Sequence, residues 1–87
     1  MELQQQFESA VSRSKELTRR PSNEELLSLY ALYKQATEGD ASGERPGGFD
    51  FKAIAKHDAW EELKGKSKEL AMQEYILLVE KLYQQYA

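Results

Sequence analysis

The side chains with the most distinctive chemistry are lysines placed beside aromatic rings. Tyr30, Tyr33 and Lys34 stand at i, i+3 and i+4, a spacing that puts them on one side of a helix. Lys52 and Lys56 are likewise i and i+4, Tyr75 lies toward the far end of the chain and Lys15 near its beginning. If these groups converge, they bring several ammonium donors and flat rings to one place. Ammonium groups pair with phosphate oxygens, while rings stack on a base or donate a phenolic hydroxyl. The same spacing also fits tyrosines at a core edge with solvated lysines. Spacing leaves both readings open.

Other apparent motifs reduce to helix punctuation or surface charge. Gly65-Lys66-Ser67 has the tail of a phosphate-binding loop, but Trp60 occupies the position where that loop needs its first glycine. A helix stop followed by a helix cap accounts for the same three residues. His57 is the only histidine and there is no cysteine, so neither a His-based metal cluster nor a thiolate site is expected. No Ser-His-Asp or Cys-His arrangement is suggested, and His57 and Asp58, adjacent on a helix, point about 100° apart. We therefore expect a solvated or ligand-edge histidine and no catalytic residue. Glu24, Glu25, Glu61 and Glu62 read as helix-start and solvated-face charges.

The elements that position these groups are helices. Leu3, Phe7, Ala10, Val11 and Leu17 follow a 3.6-residue period, with Ser14 in the one polar slot of that face. Arg19, Arg20 and Pro21 end this segment, because proline disfavours helix in the residue before it. Ser22 and Glu25 form a capping box for a second helix, whose apolar face is Leu26, Leu29, Tyr30, Tyr33 and Ala36. Gly39 suits the left-handed position that closes it. A third helix is predicted over Lys52 to Lys64 and stops at Gly65. Ala55, Ala59 and Leu63 share its inner face, with Trp60 beside them. Ser67 caps a fourth, carrying Leu70, Ala71, Tyr75, Leu78, Val79 and Leu82. No alternating strand pattern is present.

Residues 39–51 hold four of the five glycines and one of the two prolines, and read as a loop. About 12 residues can stretch ~35 Å, farther than a helix of ~16 residues is long. Such a loop can carry the chain back along the molecule and leave helices two and three parallel; a local loop between antiparallel helices is the alternative. The fold class is all-α, a four-helix bundle with a long overhand loop between helices two and three.

The chain has 87 residues and a net charge of −3, from 12 basic and 15 acidic side chains. That length predicts a single domain over 1–87, and the acidic balance argues against nucleic acid as a partner. No apolar run approaches the ~18 residues of a membrane span, so no stable membrane insertion is expected. A soluble, cytoplasmic monomer is the expectation.

The run Leu29-Tyr30-Ala31-Leu32-Tyr33-Lys34-Gln35-Ala36-Thr37-Glu38-Gly39-Asp40 resembles the signature of the acyl-CoA-binding protein family, also called diazepam-binding inhibitor. The resemblance continues through Arg45-Pro46-Gly47, Asp50-Phe51-Lys52, Ala55-Lys56, Asp58-Ala59-Trp60 and the run from Leu63 to Glu69. It ends in Tyr75-Ile76 and Val79-Glu80, and so covers essentially the whole chain. It implies parallel middle helices joined by an overhand loop, and a non-enzymatic carrier of one medium- to long-chain acyl-CoA ester, with no other cofactor. By position, Tyr30, Tyr33, Lys34, Lys56 and Tyr75 would form the CoA site, assisted by Lys15 and Lys52. Phe7, Ala10, Leu26 and Leu27 would border the acyl groove. The sequence departs from that family at His57, where a tryptophan is usual, at Ala53-Ile54, where Gly-Lys is common, and at Leu70, which replaces an acidic residue. A helical protein–protein interaction module is the alternative function.

Overall fold

Three of the helices begin where a short polar side chain accepts an otherwise unpaired backbone N–H. The computed structural model describes residues 2–86, in the order α1 (Leu3–Ser14), α2 (Asn23–Glu38), α3 (Phe51–Glu61) and α4 (Lys68–Tyr86). The described residues include no strand. At α2 both halves of the capping box are made: Glu25 N–H donates to Ser22 Oγ at 3.1 Å and Ser22 N–H to Glu25 Oε1 at 2.9 Å. These bonds, the backbone one foremost, together with the Tyr86 hydroxyl, hold the Glu25 carboxyl below its ordinary pKa. Asp50 accepts from Ala53 N–H at the start of α3, and Ser67 from Leu70 N–H at the start of α4. The last is half a capping box, because Leu70 has no carboxylate to return the bond.

The helix ends differ from the periodicity in three places. α1 stops at Ser14, well before Pro21, because Lys15 and Glu16 donate to the carbonyls of Ser12 and Arg13 in a tighter i→i−3 turn. Leu17 nonetheless packs against the core; burial continues past the last helical bond, and periodicity registers burial. α3 starts at Phe51, one residue earlier than expected, and its regular part ends at Glu61. From there i→i−3 turns carry the chain to Gly65, whose φ is 92°. Gly39 closes α2 with φ 83° and ψ −149°, a positive-φ but extended conformation open essentially only to glycine, rather than the left-handed helical one.

Side-chain contacts decide how the helices run. Tyr30 of α2 meets Lys56 of α3, while Lys34 and the Gly39 carbonyl farther along meet Trp60, so α2 and α3 are parallel. α1 and α4 are also parallel: Phe7 meets Tyr75, Arg13 lies over Tyr83, and Thr18 donates to the Tyr86 carbonyl. α4 runs antiparallel to α2, since Tyr86 at its end donates to Glu25 at the start of α2. The overhand reading of the loop therefore holds. Trp60 Nε1 donates to the Gly39 carbonyl at 2.8 Å. Arg45 forms a two-pronged ion pair with Asp58 at 2.8 and 3.0 Å, and Asp50 then caps α3.

The core lies between α1, α2 and α4. It comprises Phe7 and Ala10, then Leu29, Leu32 and Ala36, then Ala71, Tyr75, Val79 and Leu82. Among the described residues α3 packs against α2 alone, and the Cα trace extends 39 × 28 × 15 Å. At 15 Å the Cα trace is about as deep as two packed helices, whose axes lie ~8–10 Å apart and whose Cα cylinders are each ~4.6 Å across. The helices thus form a shallow slab, and the seam between α2 and α3 is open on one face.

One polar residue sits inside this frame. Gln35 has no solvent exposure, and its Nε2 donates to the Lys66 carbonyl at 2.8 Å and to Asp40 Oδ1 at 2.9 Å. Asp40 also accepts from Gly65 N–H at 2.9 Å. That backbone bond first, then the Gln35 amide, lowers the Asp40 pKa. These three bonds join the end of α2, the start of the loop and the turn before α4.

Candidate functional site

The seam between α2 and α3 carries two i, i+4 pairs that interlock. Tyr30 and Lys34 are one turn apart on α2, and Lys56 and Trp60 one turn apart on α3. With the helices parallel, each lysine reaches the ring on the opposite helix: Lys56 Nζ lies 5.1 Å from the Tyr30 ring centre and Lys34 Nζ 5.0 Å from that of Trp60. Both distances are within the ~6 Å reach of a cation–π contact. Trp60 is buried and fixed by its bond to Gly39, so the ring beneath Lys34 is held in place. Lys34 also pairs with Glu38, a hydrogen bond that is the main cause of its raised pKa.

Between the first halves of α2 and α3 this seam widens into a cavity of about 740 Å³. Arg20, Lys52 and Lys56 supply its cations, Leu26, Leu27 and Ala55 its aliphatic surface, and Tyr30 and Phe51 its rings; Asn23 completes the lining. No carboxylate is among these residues. Two smaller depressions, of about 340 and 380 Å³, differ in charge. One pairs Arg13 with Glu80, and the other carries Glu24, Glu62 and Glu74. Of these three, the 740 Å³ cavity is the one that combines net positive charge with apolar surface, the requirement for a ligand with an anionic head and a hydrocarbon tail.

Tyr33 lies one turn from Tyr30 and joins a second aromatic group, at the meeting of α1, α2 and α4. Phe7 stacks on Tyr33 with centroids 5.9 Å apart and meets Tyr75 edge-on at 5.1 Å. Tyr33 is 41% exposed, whereas Phe7 and Tyr75 are 2% and 4% exposed. The accessible ring of this group is thus Tyr33. Burial raises the Tyr75 phenol pKa, and its hydroxyl donates to Ser14 Oγ at 3.3 Å. Ser14, the polar slot on the apolar face of α1, is there to receive it.

Of the residues singled out from sequence, Tyr30, Lys52, Lys56, Leu26 and Leu27 come together in the 740 Å³ cavity. Lys34 lies one turn beyond Tyr30 on α2, over the Trp60 ring, and is not among the lining residues of that cavity. Lys15 is exposed at the C-cap of α1. Phe7 and Ala10 belong to the core, and Ala10 lines the separate depression between α1 and α4. Neither is among the residues lining the cavity that Leu26 and Leu27 share.

Sequence reasoning missed Arg20, Phe51 and the role of Trp60. Arg20 was read only as a helix end, and no periodicity extends through a turn to place it. The spacing of Lys56 and Trp60, which mirrors Tyr30 and Lys34, was the available signal for the last. His57 was expected to be solvated or at a ligand edge, and the solvated half of that expectation does not hold. Its side chain is 12% exposed rather than solvated, lies edge-on to Trp60 with centroids 6.4 Å apart, and has Nδ1 3.5 Å from Glu61 Oε2. That distance is too long for a good hydrogen bond, and among the described residues the imidazole makes none. Trp60, whose burial the sequence did not reveal, is one of its neighbours. Among the described residues no group of three potential metal ligands occurs, and no helix is long and apolar enough to cross a membrane.

An all-helical slab with a cationic, apolar-lined cavity defines a small ligand-binding module. Comparison with known proteins makes this specific. Residues 4–79 match the family described as "Acyl CoA binding protein". The chain is 52% identical to an acyl-CoA-binding protein homolog of Drosophila melanogaster, over 95% of this chain and 96% of that one. It is 53% identical to the acyl-CoA-binding protein of Saccharomyces cerevisiae, over 95% of each chain. The crystal structure of acyl-CoA-binding protein 2 from Oryza sativa superposes with a TM-score of 0.92 at 46% identity, covering 97% of this chain and 93% of that one. The chain belongs to the acyl-CoA-binding protein family, and its fold is that family's all-α fold.

Proposed function

We propose that this chain, a single domain over 1–87, binds medium- to long-chain acyl-CoA esters and carries them in the cytoplasm as a monomer, without catalysis. The observation that carries this reading is the meeting of Arg20, Lys52 and Lys56 with Leu26, Leu27 and Tyr30 in one cavity of about 740 Å³. That volume suits a ligand of this class, since small-molecule sites span ~300–1,000 Å³. Lys52, Lys56 and Lys34 pair with the ligand's phosphates, and Tyr30 or the exposed Tyr33 ring stacks on adenine. Leu26 and Leu27 receive the first part of the acyl chain. Tyr75, nearly buried, acts by holding the Phe7–Tyr33 pair in place, and Lys15 supplies positive charge from the end of α1.

The energetics divide between the two ends. Each methylene removed from water contributes up to ~0.8 kcal/mol, and a charge-assisted hydrogen bond to phosphate about 1.5–3 kcal/mol. Neither acts on a bond of the ligand, so the product of binding is a shielded ester and a pool of it in solution.

Calorimetry with palmitoyl-CoA, CoA and palmitate tests the proposal. Palmitoyl-CoA is expected to bind far more tightly than either part. Equal affinity for palmitate and palmitoyl-CoA would remove the nucleotide half of the site from the argument, and release of free CoA on incubation would replace a carrier with an enzyme.

A further inference from the structure

The segment Arg19-Arg20-Pro21-Ser22 joins α1 to α2, and ligand binding uses only Arg20 of it. Residues 17–22 belong to no helix, and Arg19, Arg20 and Ser22 are exposed. Ser22 holds an extended backbone, with φ −63° and ψ 162°, the form in which a phosphotransferase takes a peptide. Its Oγ accepts Glu25 N–H at 3.1 Å. That bond uses a lone pair and leaves the hydroxyl proton available. Ser22 also stands beside the largest cavity: Arg20, two residues before it, and Asn23, the next residue, both line that cavity. Arg20 Nη1 donates to Asn23 Oδ1 at 3.2 Å, so the guanidinium lies over the start of α2.

We propose that Ser22 is a phosphorylation site for a serine kinase directed by basic residues, and that its phosphate weakens ligand binding in the adjacent cavity. Guanidinium groups three and two residues before the hydroxyl offer planar forks that kinase carboxylates grip in bidentate pairs. Glu25, three residues after it, would suit an acid-directed kinase, but its carboxylate already accepts from Ser22 N–H and the Tyr86 hydroxyl. In the transfer, Ser22 Oγ bonds to the γ-phosphorus of a nucleoside triphosphate as the β–γ bridging bond breaks. The nucleoside diphosphate leaves, and the hydroxyl proton passes to the kinase's catalytic carboxylate. The phosphate adds a charge of about −1.5 to −2 at pH ~7, next to a cavity whose cations are Arg20, Lys52 and Lys56. It draws Arg20 onto itself and offsets most of the field that attracts an anionic ligand. At the helix its oxygens take over the bond from Glu25 N–H, so α2 keeps its start. The loss of affinity rests on the carrier reading above; the modification itself does not.

The test is incubation of the full chain with magnesium ATP and cyclic-AMP-dependent kinase, which selects paired arginines before a serine. Mass spectrometry then locates the phosphate, and calorimetry measures palmitoyl-CoA binding. A single phosphate is expected, on Ser22, and none in Ser22→Asn. The phosphorylated protein is expected to bind palmitoyl-CoA about tenfold more weakly at low salt, with the difference shrinking at high salt. Asn and Asp cap a helix about as well as Ser, so Ser22→Asn and Ser22→Asp should both fold and differ only in charge. Ser22→Asn is expected to bind as wild type does, and Ser22→Asp about threefold more weakly at low salt. Absence of phosphate from Ser22, or its arrival at another residue alone, overturns the site. Equal affinity of phosphorylated and unmodified protein at low salt overturns the regulation. So does a loss undiminished by salt, which would come from a damaged cap. If unmodified wild type fails to bind palmitoyl-CoA, the carrier reading falls while mass spectrometry still decides the modification.

Discussion

Replacing Lys56 by methionine separates binding from stability. Lys56 Nζ lies 5.1 Å from the Tyr30 ring centre and its side chain lines the 740 Å³ cavity. Removing the ammonium loses a partly exposed cation–π contact of about 0.5–1 kcal/mol. Methionine keeps the apolar stem over the ring and adds a sulfur–aromatic contact of about 0.3–1.5 kcal/mol. The two nearly cancel, so unfolding in urea should shift by less than ~0.5 kcal/mol. Ligand binding has no such compensation, because a thioether does not donate to phosphate. Losing one charge-assisted hydrogen bond of about 1.5–3 kcal/mol raises Kd roughly 10- to 150-fold at ~1.4 kcal/mol per tenfold. Calorimetry with palmitoyl-CoA at low salt measures this directly, and the gap should narrow as salt screens the cavity. A Kd within twofold of wild type at low salt would refute the assignment of Lys56 to the phosphates. A loss of stability as large as the loss of affinity would show instead that Lys56 is a structural residue.

Three further outcomes follow from individual contacts. Gln35→Leu deletes the bonds to Lys66 and Asp40 but also removes a buried Oε1 that lacks a partner; the net loss should be about 1–2 kcal/mol, seen as a Tm drop of roughly 4–8 °C per kcal/mol. Arg45→Met breaks the ion pair that ties the overhand loop to α3; because the Arg45 hydrogen bond holds the Asp58 pKa below its ordinary value, wild type should be the more stable at pH ~7, and this advantage should disappear as pH falls below ~3–4, through the lowered folded-state pKa. A pH-independent difference in thermal melts would assign the effect to packing. Glu38→Gln releases Lys34 from its ion pair; an exposed i, i+4 pair is worth about 0.3–0.5 kcal/mol, so palmitoyl-CoA affinity should rise roughly twofold, and a fall would mean that Glu38 orients the lysine.

The sequence alone determined four helices, most of their boundaries and the loop long enough to allow a parallel α2 and α3. These are local properties: period 3.6, the Ser22–Glu25 box, Gly65 and the glycines of residues 39–51 each act over a few residues. The residue types of the site were legible too, because lysines beside tyrosines at i, i+3 and i+4 already imply a shared side. Periodicity describes one helix at a time, however, and does not state the angle at which a neighbour meets it. Only the tertiary structure decided that Lys34 covers Trp60 while Lys56 covers Tyr30, that Arg20 reaches the cavity from a turn, and that His57 is covered. It also decided that Phe7 and Ala10 pack into the core, and that α1 unwinds at Ser14 with Leu17 still packed. Apart from His57, whose neighbour Trp60 is only one turn away, each depends on partners 20 or more residues away in sequence or on hydrogen bonds that burial patterns do not record. The open seam has the same origin: α3 packs on α2 alone, and that is a choice made between helices, not within one.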